Sequence, residues 1–181
     1  MILIVDMNST ENPFGFDEFV LPIVAVVEEM EKCDVKHYLE VNEKNLSGYN
    51  KIVLSGSALQ DTVTLNQTKR FRWLKDYGKP ILGVCAGMQT IGLVFGGYIA
   101  KCREIGMTEI AASKENILFS SKFKVYALHN YALVPSAKFE VLAKSASCVH
   151  SIKHKQKDVY GVLFHPEVRN REVIGRFIQA F

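Results

Sequence analysis

The sequence predicts an α/β fold: a three-layer, doubly wound, mostly parallel sheet with an antiparallel β extension in its second half. Three observations predict it. Short apolar runs in "ILIVDM" (2–7), "IVL" (52–54) and "ILGVC" (81–85) have the composition of strands buried on both faces. Segments with helical spacing separate these runs, as crossovers between parallel strands require. From Gly97 onward the pattern changes to β-type runs divided by Pro, Ser and Lys-rich turns.

The elements follow in order. "ILIVDM" is a strand that ends on an acidic residue, and residues 8–19 form a long connection containing Asn8, Asn12, Pro13 and Gly15. "DEFVLPIVAVVEEMEKC" (17–33) carries apolar residues at helical spacing, with Pro22 in its early part. "VKHYLEV" (35–41) alternates like a strand, and "IVL" runs into a Ser-Gly-Ser turn. "LNQTKRFRWLKDYGKP" (65–80) reads as one helix closed by Gly78 and Pro80. After "ILGVC", the segment "AGMQTIGLVF" (86–95) is a helix stopped by Gly96 and Gly97. "FKVYALHNYALV" (123–134), "FEVLAKSAS" (139–147), "SCVHSIKH" (147–154) and "VYGVLFH" (159–165) are β-type, and "NREVIGRFIQAF" (170–181) is an amphipathic helix.

A chain of 181 residues with no linker, repeat or low-complexity tract is read as a single domain over 1–181. Its net charge of +3 is too small to suggest a nucleic-acid partner. "MILIVDMNST" has no basic leader region, and its apolar run is too short for a membrane span, so a cytoplasmic location without membrane contact is expected. Four cysteines with no CxxC pair suggest reduced thiols, of which Cys33, Cys102 and Cys148 are expected to be inert. No cluster of His, Cys and carboxylates has metal-ligand spacing, and no nucleotide-binding glycine pattern is present. The expectation is no metal and no cofactor.

One cysteine stands apart. Gly83-Val84-Cys85-Ala86-Gly87 has the form of a strand–turn–helix elbow, with a glycine two positions either side of a nucleophile. A thiol at a helix N-terminus feels the positive end of the dipole, which favours thiolate. A buried, unreactive thiol fits this short stretch equally well. The rest of the chain favours the nucleophile. His165 ends an apolar strand and Pro166 follows, in a turn that can bring Glu167 to its side as an orienting carboxylate. Ala86, directly after the cysteine, and Ser57 in the Ser-Gly-Ser turn are placed to offer backbone N–H groups to an oxyanion.

The ordered set "LSGS", "GVCAGMQ", "VYALHNYALVPS" and "VYGVLFHPEV" resembles the class I (triad) glutamine amidotransferases, a flavodoxin-like α/β family, across nearly the whole chain. Within that family "FGGYIAKCREIGMTEI" and "FEVLAKSASC" look closest to the amidotransferase subunit of GMP synthase. The resemblance implies L-glutamine as substrate, Cys85 as nucleophile, His165 as acid and base, and Glu167 as its orienter. It further implies that Gly56 and Gln89 contact substrate and that the backbone at Leu128, His129, Asn130 and Tyr131 holds its α-amino and carboxylate groups. It also implies a separate ATP-dependent synthetase that consumes the ammonia.

The sequence departs from the family pattern at three places. Ser57 and Ala58 stand where the family has Gly-Pro, Leu163 replaces a glutamine, and the 8–19 connection is several residues longer. A Ser57 held at positive φ would cost about 1–2 kcal/mol. Two other functions use the same residues. One is a stand-alone γ-glutamyl hydrolase whose long connection lines a larger leaving-group pocket. The other is a non-catalytic glutamine-binding module.

Overall fold

The computed structural model describes residues 1–12 and 14–181; Pro13, in the long first connection, lies outside them. Its elements in chain order are β1 (Ile2–Asp6), α1 (Leu21–Glu28), β2 (Cys33–His37), β3 (Lys51–Leu54), β4 (Ile81–Val84), α2 (Ala86–Val94), β5 (Tyr98–Ala112), β6 (Phe123–Val134), β7 (Phe139–Lys144), β8 (Val149–His154), β9 (Val159–Val162) and α3 (Glu172–Ala180). Among the described residues nine strands form one sheet in the order β2-β1-β3-β4-β9-β8-β7-β5-β6. The pairings from β2 across to β9 are parallel, and those from β9 to β6 are antiparallel.

The apolar runs become strands buried on both faces because alternate side chains feed two separate cores. Leu3, Val5, Ile52 and Leu54 pack on one side with Phe71, Trp73, Met88 and Ile91. Ile2, Ile4, Val53 and Leu82 pack on the other with Ile23, Val27, Val173 and Phe177 from α1 and α3. This is the expected three-layer arrangement. Each fully buried Leu or Ile contributes about 1.5–3 kcal/mol, so the two cores lock the strand register that aims the loops.

Three elements differ from the sequence reading. A π-helical turn, Phe16–Val20, precedes α1, which places Pro22 in the first turn of the helix where its missing N–H has no intrahelical role. The expected helix at 65–80 is instead two 3₁₀ segments, Val63–Asn66 and Thr68–Lys75. Phe71 and Leu74 are buried, with Thr68 and Tyr77 half-buried on either side, a spacing of three that suits a 3₁₀ turn. The third difference is β5, a 15-residue strand that forms a long hairpin with β6 and meets the rest of the sheet only where Ala111 and Ala112 pair with β7. No helix among the described residues is long and apolar enough to cross a membrane.

Candidate active site

Cys85 sits at the turn between β4 and α2 with φ +45° and ψ −102°, a backbone conformation that a non-glycine residue rarely adopts. The turn is held from both sides. The Cys85 N–H donates to the Val162 carbonyl of β9 at 2.8 Å, and the Gly87 N–H donates to the Ser55 carbonyl at 3.2 Å. The flanking glycines follow from close backbone approach. A Cβ on Gly83 would stand 2.5 Å from the Gly87 carbonyl carbon, and one on Gly87 would stand 2.6 Å from the Leu54 oxygen. Neither neighbour can yield, because both are main chain.

Behind the thiol, His165 Nδ1 and Glu167 Oε1 lie 2.7 Å apart, both side chains buried. The His165 N–H donates to the Tyr126 carbonyl at 2.9 Å, fixing the residue to the start of β6. Glu167 on Nδ1 specifies the Nδ1–H tautomer, which leaves Nε2 facing the chemistry. That Nε2 has no hydrogen-bond partner, and the Cys85 thiol donates to the Leu128 carbonyl at 3.7 Å. Burial alone would depress the basicity of His165. The Glu167 carboxylate on Nδ1, with the Cys85 sulfur close by, outweighs it and holds the imidazole well above its ordinary pKa.

The thiol opens onto a narrow cleft lined by Ser57, Ala86, Gln89 and the stretch of β6 that carries Leu128, His129, Asn130 and Tyr131. The structure places Ser57, Cys85, Ala86, Gln89 and residues 128–131 around this cleft, with the His165–Glu167 pair beside Cys85 but outside the lining, and Gly56 against His165. A Cβ on Gly56 would stand 2.7 Å from His165 Cε1, so the glycine makes room for the imidazole. Ser57 is buried and does not have positive φ, so the Ser-for-Gly departure carries no strain of that kind. Leu163 is fully buried in the core against α2, an apolar position that explains the absence of glutamine there.

The cleft is narrow: its interior offers about 20 Å³, room for roughly one water. Two side chains bridge it. Gln89 Nε2 donates to the Tyr131 carbonyl at 2.7 Å, and Asn130 Nδ2 donates to the Leu59 carbonyl at 3.2 Å. Residues 8–12 and 14–19 line none of this cleft. Instead Phe19 packs its ring 5.5 Å from the His165 ring, and the Ser9 N–H donates to Asp61 beside the Ser57 turn. Sequence reasoning does not single out Phe19 or Asp61. An aromatic residue on the expected helix face is the only sign available there.

The model of the family described as glutamine amidotransferase class-I matches residues 18–181. The chain belongs to that family. The glutamine-hydrolyzing GMP synthase subunit of Methanocaldococcus jannaschii is 41% identical over 110 residues, covering 56% of this chain and 58% of that protein. This chain thus matches little more than half the length of its archaeal relatives. The glutamine-hydrolyzing GMP synthase of Borreliella burgdorferi is 34% identical over 154 residues, 78% of this chain and 28% of that protein. A solved structure from Thermoplasma acidophilum, provisionally described as a GMP synthase subunit, superposes with TM-score 0.85 at 26% identity, covering 98% of this chain and 92% of that one. A glutamine amidotransferase structure from Thermotoga maritima, at 20% identity and TM-score 0.70, shares the fold; the match covers 99% of this chain and 80% of that one.

Proposed function

We propose that this chain hydrolyses L-glutamine to glutamate and ammonia through Cys85, His165 and Glu167, and delivers the ammonia to a separate ATP-dependent synthetase of the GMP-forming kind. The observation that carries this reading is a thiol on a strained elbow between two features of the fold. On one side is a buried His–Glu pair with a free Nε2, and on the other is a cleft walled by the β6 backbone. The names of the archaeal and bacterial relatives supply the acceptor.

In this mechanism the Cys85 sulfur attacks the side-chain amide carbon of glutamine, and the thiol proton goes to His165 Nε2. Oxyanion charge develops beside the N–H groups of Ser57 and Ala86; the latter is at the first helical position, where no intrahelical acceptor exists. His165 then returns the proton to the departing nitrogen, the C–N bond breaks, and ammonia leaves a glutamyl thioester. A water molecule gives its proton to Nε2 and attacks the thioester, the C–S bond breaks, and the proton returns to sulfur. Glu167 keeps Nδ1–H in place throughout, and a raised imidazole pKa suits a group that must hold a proton between steps.

The narrowness of the cleft adds a condition. Glutamine enters only if the Gln89–Tyr131 and Asn130–Leu59 bridges open, so the isolated chain is expected to be slow until a partner docks. The test is mass spectrometry after treatment with a diazo-ketone glutamine analogue, with and without a GMP-forming synthetase. A single adduct on Cys85, blocked by glutamine and accelerated by the partner, is the expected result. No adduct under either condition overturns the catalytic reading, and labelling that glutamine does not block reassigns the substrate.

A further inference from the structure

Two histidines, a cysteine and a glutamate meet where β5, β6 and the start of β8 come together. Strand pairing brings them together. The β5–β6 ladder is irregular between Lys101 and Glu104, and directly after this irregularity Glu104 stands opposite His129. Cys148, directly before β8, and His150, within it, both turn toward Glu104. The ligand atoms of the four residues all lie within 4.8 Å of one another. Glu104 Oε2 is 2.6 Å from His150 Nε2, 3.4 Å from His129 Nε2 and 3.5 Å from Cys148 Sγ.

We propose that Glu104, His129, Cys148 and His150 bind one zinc-class divalent cation, which ties β5, β6 and β8 together behind the strand that walls the cleft. A donor set of two imidazoles, one thiolate and one carboxylate suits tetrahedral Zn²⁺. Bonds of about 2.0–2.3 Å in that geometry place ligand atoms roughly 3.3–3.8 Å apart, inside the range from 2.6 Å to at most 4.8 Å that the four ligand atoms span here. Glu104 Oε2 now occupies the centre as an acceptor, and rotation of its carboxylate to the periphery opens a position among the other three donors.

The strongest support is His129. It is 2% exposed, and its Nε2 is aimed into the cluster with no hydrogen-bond partner. Its Nδ1 lies 3.0 Å from the Cys102 carbonyl, the outer contact that orients a metal-binding imidazole. Local sequence spacing suggests no metal because the ligands come from three strands, with 25 positions from Glu104 to His129 and 19 from His129 to Cys148.

The role inferred for the cation is positional. His129 follows Leu128, whose carbonyl accepts from the Cys85 thiol, and precedes Asn130, which bridges the cleft. A filled site would hold this stretch of β6 in register with the catalytic elbow.

The test uses the full chain carrying Cys85→Ala, which removes the buried thiol that lies beside His165. Metal content is measured after purification without chelator, and the stripped protein is then titrated with Co²⁺. The expected result is about one metal per chain, with four-coordinate ligand-field bands and a thiolate-to-cobalt charge-transfer band, all displaced by Zn²⁺. Adding Cys148→Ser should abolish the charge-transfer band. Adding His150→Ala should weaken binding by more than the ~100-fold upper range for losing an outer-shell partner. A six-coordinate cobalt spectrum in the Cys85→Ala chain overturns the proposal without any cluster variant, leaving the four residues as a hydrogen-bonded network only. A charge-transfer band that persists in Cys148→Ser, or metal uptake by the wild type but not by Cys85→Ala, also overturns it.

Discussion

Gly56→Ala is the substitution whose effect follows most directly from distances. Gly56 does not have positive φ, so alanine costs nothing in backbone conformation and the effect is purely one of space. The new Cβ would lie 2.7 Å from His165 Cε1 and 3.2 Å from Nδ1, so the ring must retreat by about 0.7 Å to regain an ordinary 3.4 Å contact. Retreat is resisted by Glu167 on Nδ1, by the His165 N–H on the Tyr126 carbonyl, and by the Phe19 ring. A misplacement of about 1 Å can cost a reaction 100-fold, so log-linear scaling gives a loss of about 25-fold, or about 1.9 kcal/mol of barrier. Overpacking also lowers stability by about 1–3 kcal/mol.

The assay is glutamate release by wild type, Gly56→Ala and Gly48→Ala in the presence of the synthetase, with urea melts in parallel. A Cβ on Gly48 would meet nothing within 4 Å, so that position serves as the neutral control. A folded Gly56→Ala protein whose kcat/KM stays within about twofold of wild type would refute the argument that Gly56 sets the position of the base.

Other outcomes follow from the same geometry. Cys85→Gly should be inactive yet more stable than Cys85→Ala by about 1–2 kcal/mol in urea, because only glycine tolerates φ +45° at little cost; equal midpoints would show that the elbow is unstrained. Glu167→Gln should lower kcat by about 100- to 10,000-fold while leaving glutamine able to protect Cys85 from labelling. That variant also has a pH signature. The contribution of protonated His165 to stability is complete below its unfolded value of 6.5 and fades as pH rises through its higher folded value. Removing the charge of Glu167 lowers the folded value, so the loss in urea midpoint as pH rises above 6.5 should shrink; an unchanged loss would assign it to another group. Asn130→Ala removes the bridge to the Leu59 carbonyl and should cost about 0.5–1.5 kcal/mol while speeding the labelling of Cys85 in the isolated chain; an unchanged rate would mean that this bridge does not hold the cleft shut.

Much of this fold is legible in the sequence where burial is extreme. β1, β3, β4 and β9 are buried along their whole length, and apolar runs announce them. β6 matches its sequence pattern at both ends. β5 escapes such a reading because it alternates between half-buried and exposed positions and carries Lys101, Arg103 and Glu104, which resemble a solvated connection. The 3₁₀ segments at 63–75 escape it because an apolar spacing of three is easily taken for the 3.6 of an α-helix. The candidate triad is legible because each member sits in a short local motif. The Glu104–His129–Cys148–His150 cluster is not, since no local window contains it and only strand register assembles it.

The place of β9 bears on how such a chain comes to be made. It is almost the last segment in the sequence, yet it lies in the middle of the sheet between β4 and β8. Until it inserts, a growing chain carries a parallel half ending in an unpaired β4 and an antiparallel half ending in an unpaired β8, two open edges that invite mispairing with other chains. The same insertion brings the Val162 carbonyl to the Cys85 N–H, with His165 and Glu167 following a few residues behind. Joining of the two halves and assembly of the proposed triad are therefore one event, and a nascent or truncated chain lacking its last strand would have neither.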